Sequence, residues 1–135
     1  MATFTKFQPF VEHLAEKVHN LGSDQLTIAL TTNATPPVAT NGVLADLTQI
    51  AYTNLSSRTV TTSTSSQTSG TYSLVCTDLV LTASGAVATF RHVVLYNSTA
   101  ASGNLIAWWD YGSDVTLANA ETFTIDFGAN VLTIA

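Results

Sequence analysis

The sequence predicts a mainly β domain, an antiparallel β-sandwich preceded by one amphipathic helix. Three observations carry this expectation. Apolar-rich stretches in the second half are separated by Ser, Gly and Asn turn signals about every ten residues, the spacing of short antiparallel strands. Thr (23) and Ser (12) together form about a quarter of the 135 residues, and β-branched Thr suits a pleated, half-wet surface. Helical periodicity is confined to one segment near the N-terminus. No helices interleave with the later strands, so parallel βαβ units are not expected. Nothing repeats at a fixed period. The length suits a single domain over residues 1–135, with the helix at about 8–21 and the sandwich at about 25–135.

The elements follow in chain order. From Phe7, the apolar residues Phe10, Val11, Leu14, Val18 and Leu21 fall on one helical stripe, with Glu12, Glu16, His19 and Asn20 opposite. Pro9 suits a first helical position and Gly22 a left-handed stop. Residues 25–31 read as a strand and 35–42 as a loop, because two prolines cannot donate to a ladder. Val43 to Ile50 fits either a helical turn or a strand. Arg58 to Ser63 reads as a strand, and Ser63 to Gly70 as one exposed hairpin loop. Strands are then expected at 71–83, 87–97, 105–111, 121–127 and 131–135. In the fourth of these, Phe123, Ile125 and Phe127 share one face.

Charge narrows the functional classes. Charged residues are only 10% of the chain against about 25% in typical domains. A hydrophobic share of 46% means that the chain folds. The net charge is −5, and the four basic residues, Lys6, Lys17, Arg58 and Arg91, form no cluster. Nucleic acid and anionic membrane surfaces are therefore not expected partners. Apolar runs stay far below the roughly 18 residues of a membrane span. Cys76 has no second cysteine to pair with and reads as a buried, inert thiol. The N-terminus shows no basic region before an apolar core, so the expectation is a protein made and folded in a cytoplasm.

No catalytic, cofactor or metal set is expected. On a continuous helix, His13 and His19 lie about 240° apart, and His92 stands alone beside Arg91. Asp110-Tyr111-Gly112-Ser113-Asp114 lacks the further acidic ligands of a calcium loop and reads as a polar hairpin turn. Asp126-Phe127-Gly128 matches the kinase magnesium tripeptide without any of the accompanying motifs. The sequons at Asn33, Asn54 and Asn97 are about what chance yields in a Ser/Thr-rich chain. Trp108-Trp109 is the informative pair. Strand alternation sends one indole to the core and the other outward, where it serves as a partner hot spot or a sugar platform unless the N-terminal helix or a loop covers it. Trp108, Trp109 and Tyr111 are the candidate interface residues.

Four stretches cover most of the chain: FVEHLAEKVHNLGSDQLTIALTTN, PVATNGVLADLTQIAYTNLSSR, QTSGTYSLVCTDLVLTASGAVATFRHVVLYN and LIAWWDYGSDVTLANAETFTIDFGANVLTIA. In their general pattern they resemble the capsid decoration, or cement, proteins of tailed phages. The resemblance implies a jelly-roll-like β-sandwich on the outer surface of a phage head. Such a protein bridges subunits of the major capsid protein, acts as a homodimer or homotrimer, and brings no catalytic residues or cofactor. Its expected place is the virion. The alternative is a tail or fibre module that binds host-surface carbohydrate through the outward Trp.

Overall fold

Runs of β-branched and aromatic residues dictate the largest sheet. In the computed structural model, which describes residues 2–135, β7 (Phe90–Asn97) lies at its centre. Met1, the first residue of the expected domain, lies outside the described residues. β7 pairs with β2 (Leu26–Thr31) on one side and β8 (Leu105–Val115) on the other. The short strands β1 (Thr5–Lys6) and β3 (Thr59–Val60) complete a five-stranded sheet in the order β1-β8-β7-β2-β3. All six residues of β2 are buried, so both of its faces are covered. That explains its nearly unbroken apolar run, LTIALT, where a half-exposed strand would alternate. One face meets the other sheets, while the N-terminal segment and the 37–50 loop pack about the rest. Phe7 stacks 4.5 Å from Trp108, and bridges join Val43 to Asn104 and Gln49 to Thr31.

The remaining strands make two smaller sheets, with β4 (Thr62–Thr68), β5 (Thr71–Cys76) and β10 (Leu132–Ile134) in one and β6 (Leu79–Thr82) and β9 (Thr122–Ile125) in the other. They are two halves of one ribbon, because β5 runs on into β6 and β9 runs on into β10. Leu74 pairs with Leu132, and Leu79 with Ile125. Asp78 holds the break between the halves by accepting the Phe127 N–H at 2.9 Å. Every strand pair among the described residues is antiparallel. The chain is mainly β, and the layering is consistent with a β-sandwich. Its core is one cluster joining Ile28, Leu30, Leu95 and Leu105 of the large sheet to Leu74, Leu81, Ile125 and Phe127.

Several boundaries differ from the sequence reading. The helix α1 spans only Pro9–Ala15, and Lys17, not Gly22, ends it. Lys17 has φ +68°, its N–H reaches the Leu14 carbonyl at 3.4 Å, and the Val18 N–H reaches the His13 carbonyl at 2.9 Å. This paired 6→1 and 5→2 closure ends a helix with a left-handed residue, here a lysine. The expected apolar stripe therefore breaks: Phe10 is buried, Leu14 and Val18 are half-buried, and Val11 is 51% exposed. Leu21 is buried, but in the coil after the helix.

The segment read as an exposed loop, Ser63 to Gly70, is instead β4 plus a two-residue turn at Ser69 and Gly70, both with positive φ. Two such residues match the turn that follows strand twist, so the hairpin closes much later than composition suggests. Val43 to Ile50 forms a single 3-10 turn at Leu44–Asp46 flanked by the two bridges. The strand expected over 71–83 is interrupted at Thr77-Asp78.

Three substitutions test the helix and its end. Phe10→Ala should cost about 3–5 kcal/mol, whereas Val11→Ala should stay within about 0.5 kcal/mol. Lys17→Gly should add about 0.5–1 kcal/mol by relieving the left-handed backbone. Urea unfolding of the three variants checks all of this.

Candidate functional site

The aromatic residues gather where β8 leaves the regular ladder. Phe90 pairs with Val115 and His92 with Asp110, so the four residues Tyr111 to Asp114 stand opposite Arg91 alone. The segment expected to be a hairpin turn is thus a wide bulge inside a long strand. Gly112 permits it, with φ +95° and open space around the position a Cβ would occupy. Asp110 pins its base. Its carboxylate accepts from Arg91 Nε at 2.8 Å and Nη2 at 3.2 Å, and from the Gly112 N–H at 2.8 Å. Those donors, Arg91 first, hold the Asp110 carboxyl down at about 2. The bulge pushes Tyr111 outward, where it is 53% exposed.

Tyr111 stands over a cleft of about 330 Å³ lined by Val93, Trp109, Phe123, Thr124, Ile125, Asp126 and Ala2. Val93 and Trp109 are cross-strand partners and share a face. Phe123 lies 5.2 Å from Tyr111 and meets Phe90 edge-on at 5.2 Å. Trp109 is flanked by Phe4 at 5.7 Å and Phe127 at 6.1 Å, both near edge-on. The cleft is therefore an aromatic slot with carboxylate Asp126 among its lining residues. Such a slot accepts a flat apolar face, whether an aliphatic or aromatic side chain or the face of a sugar ring.

The three expected interface residues do not stay together. Trp109 and Tyr111 line the cleft, while Trp108 lies on the opposite face against Phe7. Neither indole is the clean core or clean outward residue that alternation suggested, since both are half-buried. The reason is β1, where Thr5 pairs with Trp108. It places Phe4 against one indole and Phe7 against the other. Alternation groups Phe123 and Ile125 on one face, but nothing in the sequence indicates that this face meets Trp109. That meeting is a property of how the sheets stack.

The histidines are structural in their surroundings. Because α1 stops at Ala15, the chain folds back and brings the rings of His13 and His19 to 6.1 Å, not to opposite sides of a helix. His19 is buried, with Asn97 Nδ2 3.1 Å from its Nδ1. The same amide donates to Asp24 at 2.6 Å, and Asn97 itself is fully buried. Burial first, and the neighbouring His13 second, lower His19 to about 4. Thr31, His92 and Asp110 are successive cross-strand partners, so a hydroxyl, an imidazole and a carboxylate stand in a row. Thr31 and His92 are buried, however, and neither Thr31 Oγ1 nor either His92 nitrogen has a hydrogen-bond partner. The row lacks the hydroxyl-to-imidazole bond that activates a nucleophile. Cys76 is buried, and burial pushes its thiol up. Among the described residues no three His, Cys, Asp or Glu side chains gather as a metal site would require.

No protein-family model matches the chain, and neither curated proteins nor solved structures yield a match.

Burial of His19 makes stability pH-dependent in a defined direction. Its folded value of about 4 lies below the ordinary 6.5, so the unfolded chain binds the proton more readily. The stabilisation is complete above about pH 6.5 and is lost as pH falls towards 4, by up to about 1.4 kcal/mol per pH unit. In urea unfolding between pH 7 and 4, His19→Gln should show a shallower loss than the parent. Equal slopes would remove His19 from the account.

Proposed function

We propose that this chain is a capsid decoration, or cement, protein of a tailed-phage head. In this reading a jelly-roll-like sandwich sits on the outer shell as a homodimer or homotrimer. It bridges neighbouring subunits of the major capsid protein without catalysis or cofactor. The observation that carries the reading is the aromatic slot under Tyr111, an anchoring pocket built from rigid strands on a chain with little charge. Aromatic residues in partly desolvated pockets dominate protein interfaces, and few charges mean little desolvation cost when two surfaces meet.

Two of the four basic residues are already committed within the fold. Arg91 is paired with Asp110, and the Arg58 guanidinium lies 3.5 Å over the Tyr52 ring while donating to the Ile28 carbonyl. Little positive charge remains for nucleic acid. A clip of this kind binds only the assembled lattice, so it stabilises that lattice by mass action. Many copies make each modest contact effective.

The tail-adhesin reading draws on the same slot, since Trp109 and Tyr111 beside Asp126 also suit a sugar ring. Copy number in purified particles separates the two: hundreds indicate the head, a handful the tail.

Tyr111→Ala should leave the fold within about 0.5 kcal/mol of the parent and weaken shell attachment by about 2 kcal/mol, roughly 30-fold. Particles stripped of the protein should release DNA at lower temperature than decorated ones. Equal thermal release, together with retained affinity for host polysaccharide, would replace the cement reading with the adhesin reading.

A further inference from the structure

We propose that β4 is a self-pairing edge, through which two copies of this chain join antiparallel across a two-fold axis. The two three-stranded sheets then merge into one continuous sheet. The inference rests on the self-association in the reading above and needs nothing from the shell. It starts from how the strand edges are protected. An exposed edge is a row of unpaired N–H and C=O groups, and folded monomers blunt it with short strands, charges, proline or a cover. Most edges here are blunted in this way. β1 has two residues, one of them Lys6, and β3 has two beside Arg58. β10 has three, and the four-residue β6 and β9 lie next to Asp78 and Asp126 respectively.

The outer edge of β8 past Trp108 is unpaired as well, but it carries Asp110, Asp114 and the bulge, which leaves β4 as the long unblunted edge among the described residues. β4 has seven residues, pairs only with β5, and contains no proline and no charge. Ser63, Thr64, Ser66, Gln67 and Thr68 are exposed. A single register shift between Thr62 and Thr64 leaves Thr64 to Thr68 as a regular stretch.

The occupant follows from what a two-fold demands. About an axis at Ser66, each residue meets its mirror in the same strand: Thr64 with Thr68, Ser65 with Gln67, and Ser66 with itself. A charge near such an axis would face its own copy. β4 has none, and neither do β5 and β10, which hold no Asp, Glu, Lys or Arg. Two chains of net charge −5 can therefore approach here with no acidic group on the paired strands themselves, the nearby Asp24 lying with Lys17 in the cleft beside Ser65. The facing pairs also match in kind. Thr64, Ser66 and Thr68 share one face, since their partners on β5 are Val75, Ser73 and Thr71. Mirror pairing keeps that face intact and sets hydroxyl against hydroxyl, a favourable cross-strand pairing. A strand added to an exposed edge gains affinity from main-chain hydrogen bonds.

The test is sedimentation of the full chain over a concentration series, with Ser66→Lys and Thr133→Lys compared. Both sites lie on the same small sheet, one on the β4 edge and one on β10. The parent should form a dimer. Ser66→Lys should weaken it roughly tenfold or more by setting like charges opposite each other, and Thr133→Lys should not. Ser66→Cys should cross-link to its own copy under mild oxidation, with unfolding midpoints confirming that each variant folds. A monomeric parent, a trimer, or a dimer insensitive to Ser66→Lys would overturn the self-pairing edge. Shell binding measured in parallel keeps the two readings apart. A parent that binds shells as a monomer keeps the shell-binding part of the cement reading and overturns both its self-association and this edge.

Discussion

Burial of β7 on both faces and both edges is the constraint on which the rest of the molecule depends. From His92 to Asn97 every residue of β7 is buried, and its ladder partners β2 and β8 supply the other fully covered stretches. A strand enclosed in this way cannot satisfy its backbone with water, so both neighbours must keep register along its length. The cost of enclosure falls on its polar side chains. His92 sits there without a hydrogen-bond partner, and burial lowers its proton affinity. Asn97 is tolerated because its amide is bonded to Asp24 and lies against His19, while its carbonyl accepts from the Thr99 and Ala100 N–H groups.

The same enclosure explains where the chain becomes irregular. β8 is fully buried from Leu105 to Ala107, half-covered at the two tryptophans, and exposed from Asp110 to Asp114. The bulge begins where that cover ends and where Asp110 can still be clamped by Arg91. A rigid ladder thus delivers Tyr111 to the rim of an aromatic slot without a flexible loop. Residues placed on strands hold position more firmly than residues on loops.

Much of the architecture was legible from local signals. Alternation in Thr122 to Ile125, the apolar density of β2 and β7, and the frequent turn residues of the second half all reflect forces within a few residues of one another. Errors arose where such signals conflict with distant packing. The β4 segment, TSTSSQT, has the composition of a linker, yet β5 offers it a ladder and the Ser69-Gly70 turn closes it. Helical periodicity continued past Ala15 because Leu21 does contribute to the core, but from a chain that has already turned at Lys17. Of the residues lining the cleft, Trp109 and Tyr111 were among the three interface candidates, though the sequence did not say which indole would face the cleft, whereas Phe123, Ile125 and Asp126 were not candidates.

By itself, then, the sequence determined the β-rich class, the scarcity of charge and the approximate location of most strands. These follow from composition and short-range periodicity, which act before any long-range contact forms. Tertiary structure alone decided that β1 would cover both tryptophans, that β9 would bring Phe123 beneath Tyr111, and that β4 would be left as an uncovered edge. Each of these depends on which strands become neighbours. That choice is made by the summed burial of residues far apart in the chain, and no window of adjacent residues records it.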